Sequence, residues 1–493
     1  MAAEILKNYI NGTWVTPEGV DCLDVENPST GGTIARVPLS GEADVEAAVC
    51  AAREAFPAWR DTPVSRRASY FYPLLDLLRE NEERLVRTLV AEMGKSIPDA
   101  QAEMKRMTEN IQVACGMPIL QQGDKAVGSA AGIDGEVIRL PLGVFGLIAP
   151  FNFPAMVPFW FVPYALATGN TYIVKPSELV PCTMHVITEL IDRIGLPPGV
   201  FNMIHGGQTA GQAMLGNPGI KGISFVGSSR VCRKVATRCA ETNKRCQAMG
   251  SAKNHLVVMP DANMDEAVRN MITSCFGCAG QRCMAASAIV CVGEMVEKEV
   301  LARLVPAARD VVVADPLDPA VADQPVVVGP VISREAKERI LGLIEDGLSE
   351  GATLALDGRD IAPPNPGGHY IGPTVLTDVR PGMKVHRTEI FGPVIVVLKV
   401  DSLEEAIAVV NEHEYGNGAS IYTRSGYYAR RFKLETEAGM IGINVGIPAP
   451  VAYLPFGGMK SSQFADIKTQ GKAAVNFFTE DKIVTERYWP EEF

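Results

Sequence analysis

The feature that most constrains the fold of this chain is a regular alternation of short apolar runs with helical segments, which begins at Leu142. The apolar runs are VFGLIAP, TYIVKP, VFNMIHG, GISFVG and HLVVMP, and helical segments such as residues 183–194 lie between them. Strands that are separated by helices at this spacing pair in parallel through right-handed crossovers. The sequence therefore predicts an α/β fold with a doubly wound sheet.

The same alternation recurs after Asp261. Its apolar runs are AIVCVG, ATLALDG, GPTVLTDV, GPVIVVLKV, ASIYT and IGINV, and residues 402–412 form one of the helical segments between them. This second series predicts a second α/β domain. Before both series, residues 44–59 and 65–93 carry apolar side chains at helical spacing, which predicts a helical layer.

Two segments fit neither predicted core, namely residues 119–140 and residues 474–489. Four apolar residues of the second segment predict a strand: Val475, Phe477, Ile483 and Val484. Exposed strand edges of this kind are often covered by another subunit. Both segments are therefore candidates for an oligomer contact.

The charge balance of the chain limits its partners. Its 493 residues include 57 acidic and 46 basic side chains, and the formal net charge of −11 disfavours sequence-independent binding to nucleic acid or to an anionic membrane surface.

The first residues lack the basic and apolar segments of a secretory signal, and the eleven cysteines are an odd number, so we expect reduced thiols and a cytoplasmic protein. Four prolines interrupt the most apolar stretch, residues 144–168, which favours a buried strand, a tight loop and a helix start over a membrane helix.

One cysteine lies in a setting that favours catalysis. Cys283 follows Arg282 in the segment GQRCM, and a cationic neighbour lowers the pKa of a thiol and so favours the nucleophilic thiolate. The alternative for any single cysteine is a small, buried apolar residue. We interpret Cys283 as a nucleophile.

A metal site is the competing interpretation of this region. Cys275 and Cys278 have the CxxC spacing of a zinc ligand pair, but no second CxxC or paired histidine follows. We therefore expect no metal. Cys275 and Cys278 are predicted to share one face of a helix and to pack as small apolar residues, and His205 and His255 are predicted to be structural.

Five motifs follow one another along the chain: PFNFP at 150–154, KPSE at 175–178, FVGS at 225–228, GQRC at 280–283 and EIFGP at 389–393. This ordered set resembles the aldehyde dehydrogenase superfamily over nearly the whole chain. KNH at 253–255, together with GQRCMA and VVMPDAN, is most similar to the CoA-acylating methylmalonate-semialdehyde dehydrogenase branch.

The resemblance implies a doubly wound, Rossmann-like NAD domain, a second α/β catalytic domain with the nucleophilic cysteine, and a small β oligomerisation arm. The implied bounds are 1–118 and 141–252 for the NAD-binding domain, 253–445 for the catalytic domain, and 119–140 with 470–493 for the arm. It also implies a homo-tetramer or a homodimer.

The resemblance further implies covalent catalysis at Cys283. The carbonyl carbon of an aldehyde is a poor hydride donor until a tetrahedral adduct forms, and a thiolate forms such an adduct, a thiohemiacetal. The amide of Asn152, with the backbone N–H of Cys283, would stabilise the oxyanion, and one such donor contributes about 3 kcal/mol in the transition state. From the residue alone, the alternative for Asn152 is a turn residue that caps its own backbone.

For the cofactor, Lys175 and Glu178 follow the predicted strand TYIV, at the strand end where ligands bind in open α/β sheets. A carboxylate there accepts hydrogen bonds from both ribose hydroxyls and repels a 2′-phosphate, which favours NAD over NADP. The alternative for the pair is a solvated ion pair that contributes little. Ser228 is expected to precede a helix whose N-terminal amides face the pyrophosphate, and Cys232 stands where the superfamily usually has glycine.

By resemblance, further residues contact the cofactor. Glu389 would hold the nicotinamide ribose, and Phe391 would pack near the nicotinamide ring. The other residues that would line the cofactor cleft are Ala149, Phe151, Leu179 and Gly250.

Position 249 is expected to decide the acyl acceptor. Hydrolytic members of the superfamily have a general-base glutamate where this chain has Met249, and a thioether cannot take a proton at neutral pH. The branch that this chain resembles usually has asparagine there. Without a base, the thioester is expected to pass its acyl group to a thiol, coenzyme A.

Two arginines are the candidates for substrate selection. Arg282 precedes the nucleophile, and Arg106 matches the arginine that this branch uses with it to hold a substrate carboxylate, a task that suits guanidinium groups. The alternative for Arg106 is a helix-surface cation near Glu103 or Glu109.

The expected reaction is the NAD-dependent oxidation of methylmalonate or malonate semialdehyde to propionyl-CoA or acetyl-CoA and CO2. One alternative is a CoA-independent semialdehyde dehydrogenase, for example one for succinate semialdehyde, that releases the free acid. The other is a catalytically silent binding protein on this fold.

Overall fold

Two separate sheets, both built largely from parallel strands, form the centre of the molecule. The computed structural model describes residues 3–321, 324 and 326–489. The first sheet has eight strands, in the spatial order Thr13–Val15, Asn8–Ile10, Phe201–Met203, Thr171–Lys175, Val144–Ile148, Ile220–Val226, Arg245–Met249 and Gln463–Phe464. Its five inner strands are parallel, whereas the pairings at both edges are antiparallel.

The chain order reverses in the middle of this first sheet. Val144–Ile148 pairs with Thr171–Lys175 on one side and with Ile220–Val226 on the other. In open α/β sheets, ligands bind beyond the carboxyl ends of the strands at such a switch point. The loops that follow Ile148 and Val226 are therefore the place to look for a nucleotide site.

The second sheet has seven strands, in the spatial order Thr353–Leu356, Thr374–Thr377, Val394–Val400, Ala286–Val292, Asn254–Val258, Gly418–Tyr422 and Met440–Ile443. Every neighbouring pair in it is parallel except the edge pair with Thr353–Leu356. A three-stranded antiparallel sheet outside both consists of Thr479–Arg487, Ile133–Pro141 and Lys125–Ala130. Two-stranded pairs join Cys22–Asn27 with Gly32–Pro38, Val312–Val313 with Val327–Val328, and Tyr415–Gly416 with Met459–Lys460.

Helices cover the sheets. Those from the first half of the chain are Glu42–Asp61, Val64–Ser69, Phe71–Glu80, Glu82–Met93, Ile97–Cys115, Met117–Leu120, Met156–Phe159, Val162–Thr168, Cys182–Arg193, Gln208–Gly216 and Ser229–Glu241. Those from the second half are Met264–Phe276, Glu294–Arg309, Arg334–Ser349, Lys384–Arg387, Leu403–Glu412, Gly426–Glu435 and Gly471–Phe478. Short 3-10 turns are formed by Gly277–Gly280 and Pro319–Val321.

Side chains alternate across the first sheet and so enter two apolar clusters. Phe145 packs in a cluster with Met104 of the helix Ile97–Cys115, while its neighbour Val144 packs in the cluster that contains Val45 of the helix Glu42–Asp61. Helices therefore bury both faces of the sheet, as parallel sheets require.

The predicted fold class, an α/β doubly wound sheet with a second α/β unit, is confirmed by this architecture. The interpretation of residues 144–168 is also confirmed, because this stretch contains the strand Val144–Ile148, a loop and two short helices. Among the described residues, none of the helices is both long and apolar enough to cross a membrane. The predicted domain bounds stay predictions, and residues 490–493 of the predicted arm lie outside the described residues.

Two local predictions are wrong. HLVVMP belongs to the second sheet, as Asn254–Val258, and does not continue the first series. Val475 and Phe477 lie in the helix Gly471–Phe478, whereas the predicted strand begins only at Thr479. Both side chains are fully buried in the cluster under the first sheet, and a short apolar run buried on several sides has no periodicity that separates helix from strand.

Candidate active site

Cys283 follows a backbone segment with an unusual conformation. The helix Met264–Phe276 ends just before the turn Gly277–Gly280, and Cys278 in that turn has a φ of 52°, in the left-handed region. Non-glycine residues rarely adopt this region, and each such residue costs about 1–3 kcal/mol. A Cβ on Gly280 would lie 2.1 Å from the carbonyl oxygen of Gly392, so the turn packs directly against the segment after Glu389. The prediction that Cys275 and Cys278 share a helix face is therefore wrong, because the helix ends between them.

Asp99 and Arg282 hold this turn in place. The Asp99 carboxylate accepts the backbone N–H of Cys278 at 3.0 Å and a short hydrogen bond from the Arg282 guanidinium. Arg282 also donates through Nε to the Cys278 sulfur at 3.2 Å and through Nη1 to the Thr273 carbonyl. Only 12% of the Arg282 side chain is exposed. The guanidinium thus holds residues 277–283, the predicted nucleophile loop, and its predicted contact with substrate stays a prediction.

Two asparagines fix the backbone of the nucleophile. The amide nitrogens of Asn254 and Asn417 each donate to the Cys283 carbonyl oxygen at 2.8 Å. Asn254 also accepts the backbone N–H of Gly418 at 3.0 Å. These bonds tie Cys283 to two neighbouring strands of the second sheet, Asn254–Val258 and Gly418–Tyr422.

The Cys283 thiol has a raised pKa. Burial, followed by the negative charge of Glu389, raises this pKa to about 12, and the opposing effect of Arg282 is smaller. Arg282 thus lowers the thiol pKa, as predicted. The larger effects of burial and Glu389 raise it, so the expectation of a lowered thiol pKa is wrong. The thiol is therefore protonated at neutral pH in the protein without ligands.

Asn152, which follows a strand of the first sheet, contacts the loop before Cys283. It follows the strand Val144–Ile148, is 5% exposed, and donates from Nδ2 to the Gln281 carbonyl at 3.1 Å. This partner is 129 residues away, so the observed bond does not cap the turn's own backbone. An amide nitrogen has two N–H groups, and the second one can serve an oxyanion beside Cys283.

A buried ion pair supports the loop of Asn152. Lys95 Nζ lies 2.5 Å from the Glu103 carboxylate and donates to the Asn152 carbonyl at 2.8 Å. Arg106, one turn further along the same helix, pairs instead with Glu109 at 3.0 Å, with 39% of its side chain exposed. Glu109, one of the two partners considered in the alternative interpretation, is thus the observed partner of Arg106. The predicted contact of Arg106 with substrate stays a prediction.

The residues proposed for the cofactor surround the switch point of the first sheet. Lys175 Nζ donates to Glu178 at 3.1 Å and to the carbonyls of Pro176 and Gly206. Only 4% of the Lys175 side chain is exposed, and burial lowers its pKa while Glu178 opposes that shift. The alternative of a solvated ion pair therefore does not describe the lysine. The backbone N–H of Ala149 donates to the carbonyl of Lys175, the last residue of the strand Thr171–Lys175.

The loop after Ile220–Val226 leads into a helix. Ser228 precedes the helix Ser229–Glu241, as expected. A Cβ on Gly250 would lie 2.5 Å from the Ser229 Oγ, so this position has no room for a side chain and packs closely against the start of the helix. Cys232 is fully buried in the apolar cluster under the sheet. Its thiol donates to the Gly227 carbonyl at 3.8 Å, and burial raises its pKa to about 12.

Glu389 and Phe391 line the opposite side of the cleft. The Glu389 carboxylate accepts the Ala252 N–H at 2.9 Å, and burial raises its pKa. The Phe391 ring stands edge-on to Phe151, with 5.7 Å between the centroids. Leu179 is 42% exposed.

A layer of buried basic groups lies under Glu389. Lys253 Nζ donates to the carbonyls of Val385 and Thr388, and burial lowers its pKa to about 7. His255 Nε2 lies 3.0 Å from His386 Nε2, and His413 packs against both rings. Within the described residues, no group of three or more histidine, cysteine, aspartate or glutamate side chains is arranged to hold a metal ion.

The same family assignment comes from comparison with known proteins. The aldehyde dehydrogenase family model matches residues 14–484. This chain belongs to the aldehyde dehydrogenase family. A malonate-semialdehyde dehydrogenase 1 of Geobacillus kaustophilus is 43% identical to it over 98% of each chain, and a malonate-semialdehyde dehydrogenase 2 of Bacillus anthracis is 43% identical over 99% of each.

Solved structures of the family share the whole fold. A Sinorhizobium meliloti 1021 protein in complex with NAD superposes with a TM-score of 0.96 and 40% identity over 99% of each chain. The methylmalonate-semialdehyde dehydrogenase of Oceanimonas doudoroffii gives 0.95 and 38%, also over 99% of each chain. The resemblance stated from the motifs is thus confirmed for the family and the fold.

Position 249 is apolar in its surroundings as well as in its side chain. Met249 ends the strand Arg245–Met249, is 4% exposed, and lies in the cluster that includes Met284 and Phe456 and against which Cys283 packs. Met249 supplies a thioether to this cluster, and its predicted match to the general-base position of hydrolytic members stays a prediction.

Several residues of the site escaped the sequence analysis. Asp99, Lys95 and Asn417 are far from the quoted motifs, and Glu103 entered only as an alternative partner of Arg106. The sequence signal for Lys95, Asp99 and Glu103 is three charged residues on a segment whose apolar residues are buried, and Asn417 has no such signal. Charged side chains on a buried face are rare unless they are paired.

Proposed function

We propose that this aldehyde dehydrogenase oxidises a short semialdehyde that carries an anionic group, with NAD as the oxidant, and transfers the acyl group to coenzyme A. Met249 is the observation that carries the proposal. It removes the general base at the place where hydrolytic members activate water, and the cluster around it is apolar. A thioester that water cannot attack quickly remains for a thiol nucleophile.

NAD fits the cleft of the first sheet. The Glu178 carboxylate at the strand end would accept hydrogen bonds from ribose hydroxyls and would repel a 2′-phosphate, and the helix Ser229–Glu241 begins just after the strand Ile220–Val226 at the switch point. When bound, NAD accepts the hydride. The related structures that hold NAD, at 40% and 31% identity, support this choice.

The steps at the protein's own groups follow from their positions. The partly buried Cys283 thiol releases its proton to solvent, and the thiolate attacks the carbonyl carbon to form a thiohemiacetal. Asn152 Nδ2 and the Cys283 backbone N–H then donate to the oxyanion, and the two asparagines on the Cys283 carbonyl keep the sulfur in place. Loss of hydride leaves a thioester, which the thiolate of coenzyme A attacks to release the cysteine.

Malonate and methylmalonate semialdehyde are the first substrates to test. Relatives at 42–44% identity are named malonate-semialdehyde dehydrogenases. Of the two arginines, Arg106 is the one whose ion pair is partly exposed, so exchange of Glu109 for a substrate carboxylate costs little. After acylation, loss of CO2 from these substrates would give acetyl-CoA or propionyl-CoA.

A panel of anionic aldehydes tests this function, with NADH formation and products measured in the presence and absence of coenzyme A. We expect acyl-CoA as the product and slow turnover without coenzyme A, and we expect Cys283→Ala to form no NADH. Rapid release of free acid in the absence of a thiol would instead show that the protein is a CoA-independent semialdehyde dehydrogenase. Absence of NADH with every semialdehyde, combined with an unreactive Cys283, would favour the silent binding protein.

We also propose that the three-stranded sheet contacts a second copy of the chain in a homo-oligomer. All side chains of Lys125–Ala130 are exposed, and the apolar side chains of Val127 and Ile483 are 77% and 72% exposed. Apolar strand edges of this kind are covered in stable proteins. Light scattering of the wild type and of Val127→Lys/Ile483→Lys tests the contact. A lower mass of the double variant is expected, and equal masses would refute the contact.

A further inference from the structure

The buried ion pair of Lys95 and Glu103 has no part in the chemistry proposed above. Both side chains are completely excluded from solvent, with 2.5 Å between Nζ and the carboxylate. Such a pair gains little stability over apolar residues of the same size, because removing both charges from water is costly. The contacts of this pair with the backbone therefore indicate a role other than stabilising the fold.

The pair binds the backbone on both sides of the Asn152 turn. Lys95 donates to the carbonyl of Asn152 itself at 2.8 Å, and its ammonium lies 4.0 Å from the centre of the Phe153 ring. The other oxygen of Glu103 accepts the backbone N–H groups of Ala155 at 2.8 Å and Met156 at 3.0 Å. The peptide that carries the oxyanion donor is thus held at its beginning and its end.

The same helix also holds the nucleophile loop. Asp99 and Glu103 are four residues apart in Ile97–Cys115, so they lie on one helix face. Asp99 binds the loop through Cys278 N–H and Arg282, while Glu103 and Lys95 bind the Asn152 loop. One rigid element therefore determines how far the amide of Asn152 lies from Cys283.

We propose that Lys95 and Glu103 are positioning residues for the oxyanion donor: they hold the Asn152 peptide so that its amide points at the position of the aldehyde oxygen on Cys283. The inference rests on the proposed function of Asn152 as that donor. Lys95 and Glu103 act only through Asn152 and touch neither the substrate nor the cofactor.

Lys95→Met and the paired variant Lys95→Met/Glu103→Gln test the proposal. Lys95→Met leaves a buried carboxylate without its partner, whereas the paired variant removes both charges and preserves the volume. Lys105→Met is the matched control, because Lys105 lies on the exposed face of the same helix. Each variant is compared with the wild type in thermal midpoint, KM for NAD, alkylation rate of Cys283 and kcat for NADH formation.

We expect kcat to fall about 10- to 100-fold in both Lys95 variants, since a displacement of about 1 Å at a reacting group costs on the order of 100-fold. KM for NAD and the alkylation of Cys283 should remain within about twofold, because Lys175 and Glu389 contact neither member of the pair, and Cys283 stays bonded to Asn254 and Asn417. The control should match the wild type. A paired variant that folds and keeps the wild-type kcat would overturn the proposal.

The same substitution in the Asn152→Ala background separates positioning from a general structural effect. Asn152→Ala alone should cost about 100- to 1,000-fold in kcat, as expected for one oxyanion donor. Adding Lys95→Met should then cost less than about threefold, because the group that Lys95 positions is already absent. A full additional loss would show that Lys95 acts elsewhere and would overturn the proposal. Wild-type activity of Asn152→Ala would instead overturn the assignment of Asn152, and this inference with it.

Discussion

Replacement of Glu389 by glutamine should make Cys283 more reactive in the protein without ligands. The thiol pKa is raised from its ordinary value of 9.0 to about 12, with burial as the largest cause and the charge of Glu389 as the second. Glu389→Gln removes that negative charge and leaves burial unchanged. The thiol pKa should therefore fall toward its ordinary value without reaching it.

The size of the effect follows from the titration. At pH 8, a thiol with a pKa of about 12 has about one thiolate in 10⁴ molecules, and each unit by which the pKa falls raises that fraction about tenfold. Alkylation by iodoacetamide is proportional to the thiolate fraction, since the thiolate is the nucleophile. We expect Glu389→Gln to alkylate at Cys283 about tenfold faster at pH 8.

Peptide mapping after timed alkylation makes the measurement specific to Cys283. Cys50 is exposed and serves as the internal reference, because its alkylation should not respond to Glu389→Gln. In the wild type, the rate at Cys283 should keep rising from pH 7 to pH 10. A plateau below pH 9, or equal rates in wild type and variant, would refute this account of the thiol's environment.

Three further predictions concern the acyl acceptor, the substrate and acid stability. Met249→Glu should raise free-acid release without coenzyme A at least tenfold, since a general base contributes about 10²–10⁴ in rate, whereas Met249→Leu should change nothing. Arg106→Leu should lower kcat/KM for malonate semialdehyde far more than for propanal, and equal losses on both would remove Arg106 from substrate binding. His386 and His413 have pKa values lowered by burial to about 3 and about 4, so the unfolded chain binds more protons between pH 6.5 and 4. The free energy of unfolding should fall by several kcal/mol as the pH decreases through that range, and His386→Asn/His413→Asn should flatten the slope in urea titrations.

The raised pKa of the Cys283 thiol also limits its side reactions. A neutral thiol beside the Glu389 carboxylate resists oxidation and alkylation, because thiolate is the reactive form.

The layered fold and the positions of the motifs were accessible from the sequence. The apolar runs near Val144–Ile148, Thr171–Lys175 and Ile220–Val226 carry their signal within five to seven residues each, and parallel strands with helices between them have few possible topologies. The functional residues placed just after these strands then fall at one sheet edge. Cys283 and Met249 were likewise selected as candidates from their motifs, because a thiol and a thioether are properties of the side chain itself.

The tertiary structure decided the environments of those side chains. Arg282, one residue before the nucleophile, turns to Asp99, which is 183 positions away, and the thiol pKa is governed by burial and by Glu389, which is 106 positions further along the chain. Lys95 reaches the Asn152 carbonyl across 57 residues. Charge interactions and hydrogen bonds depend on distance in space and on exclusion of water, and both arise only when the two sheets and their helices pack. A local pattern therefore indicates which groups are present, and only packing determines which of them meet.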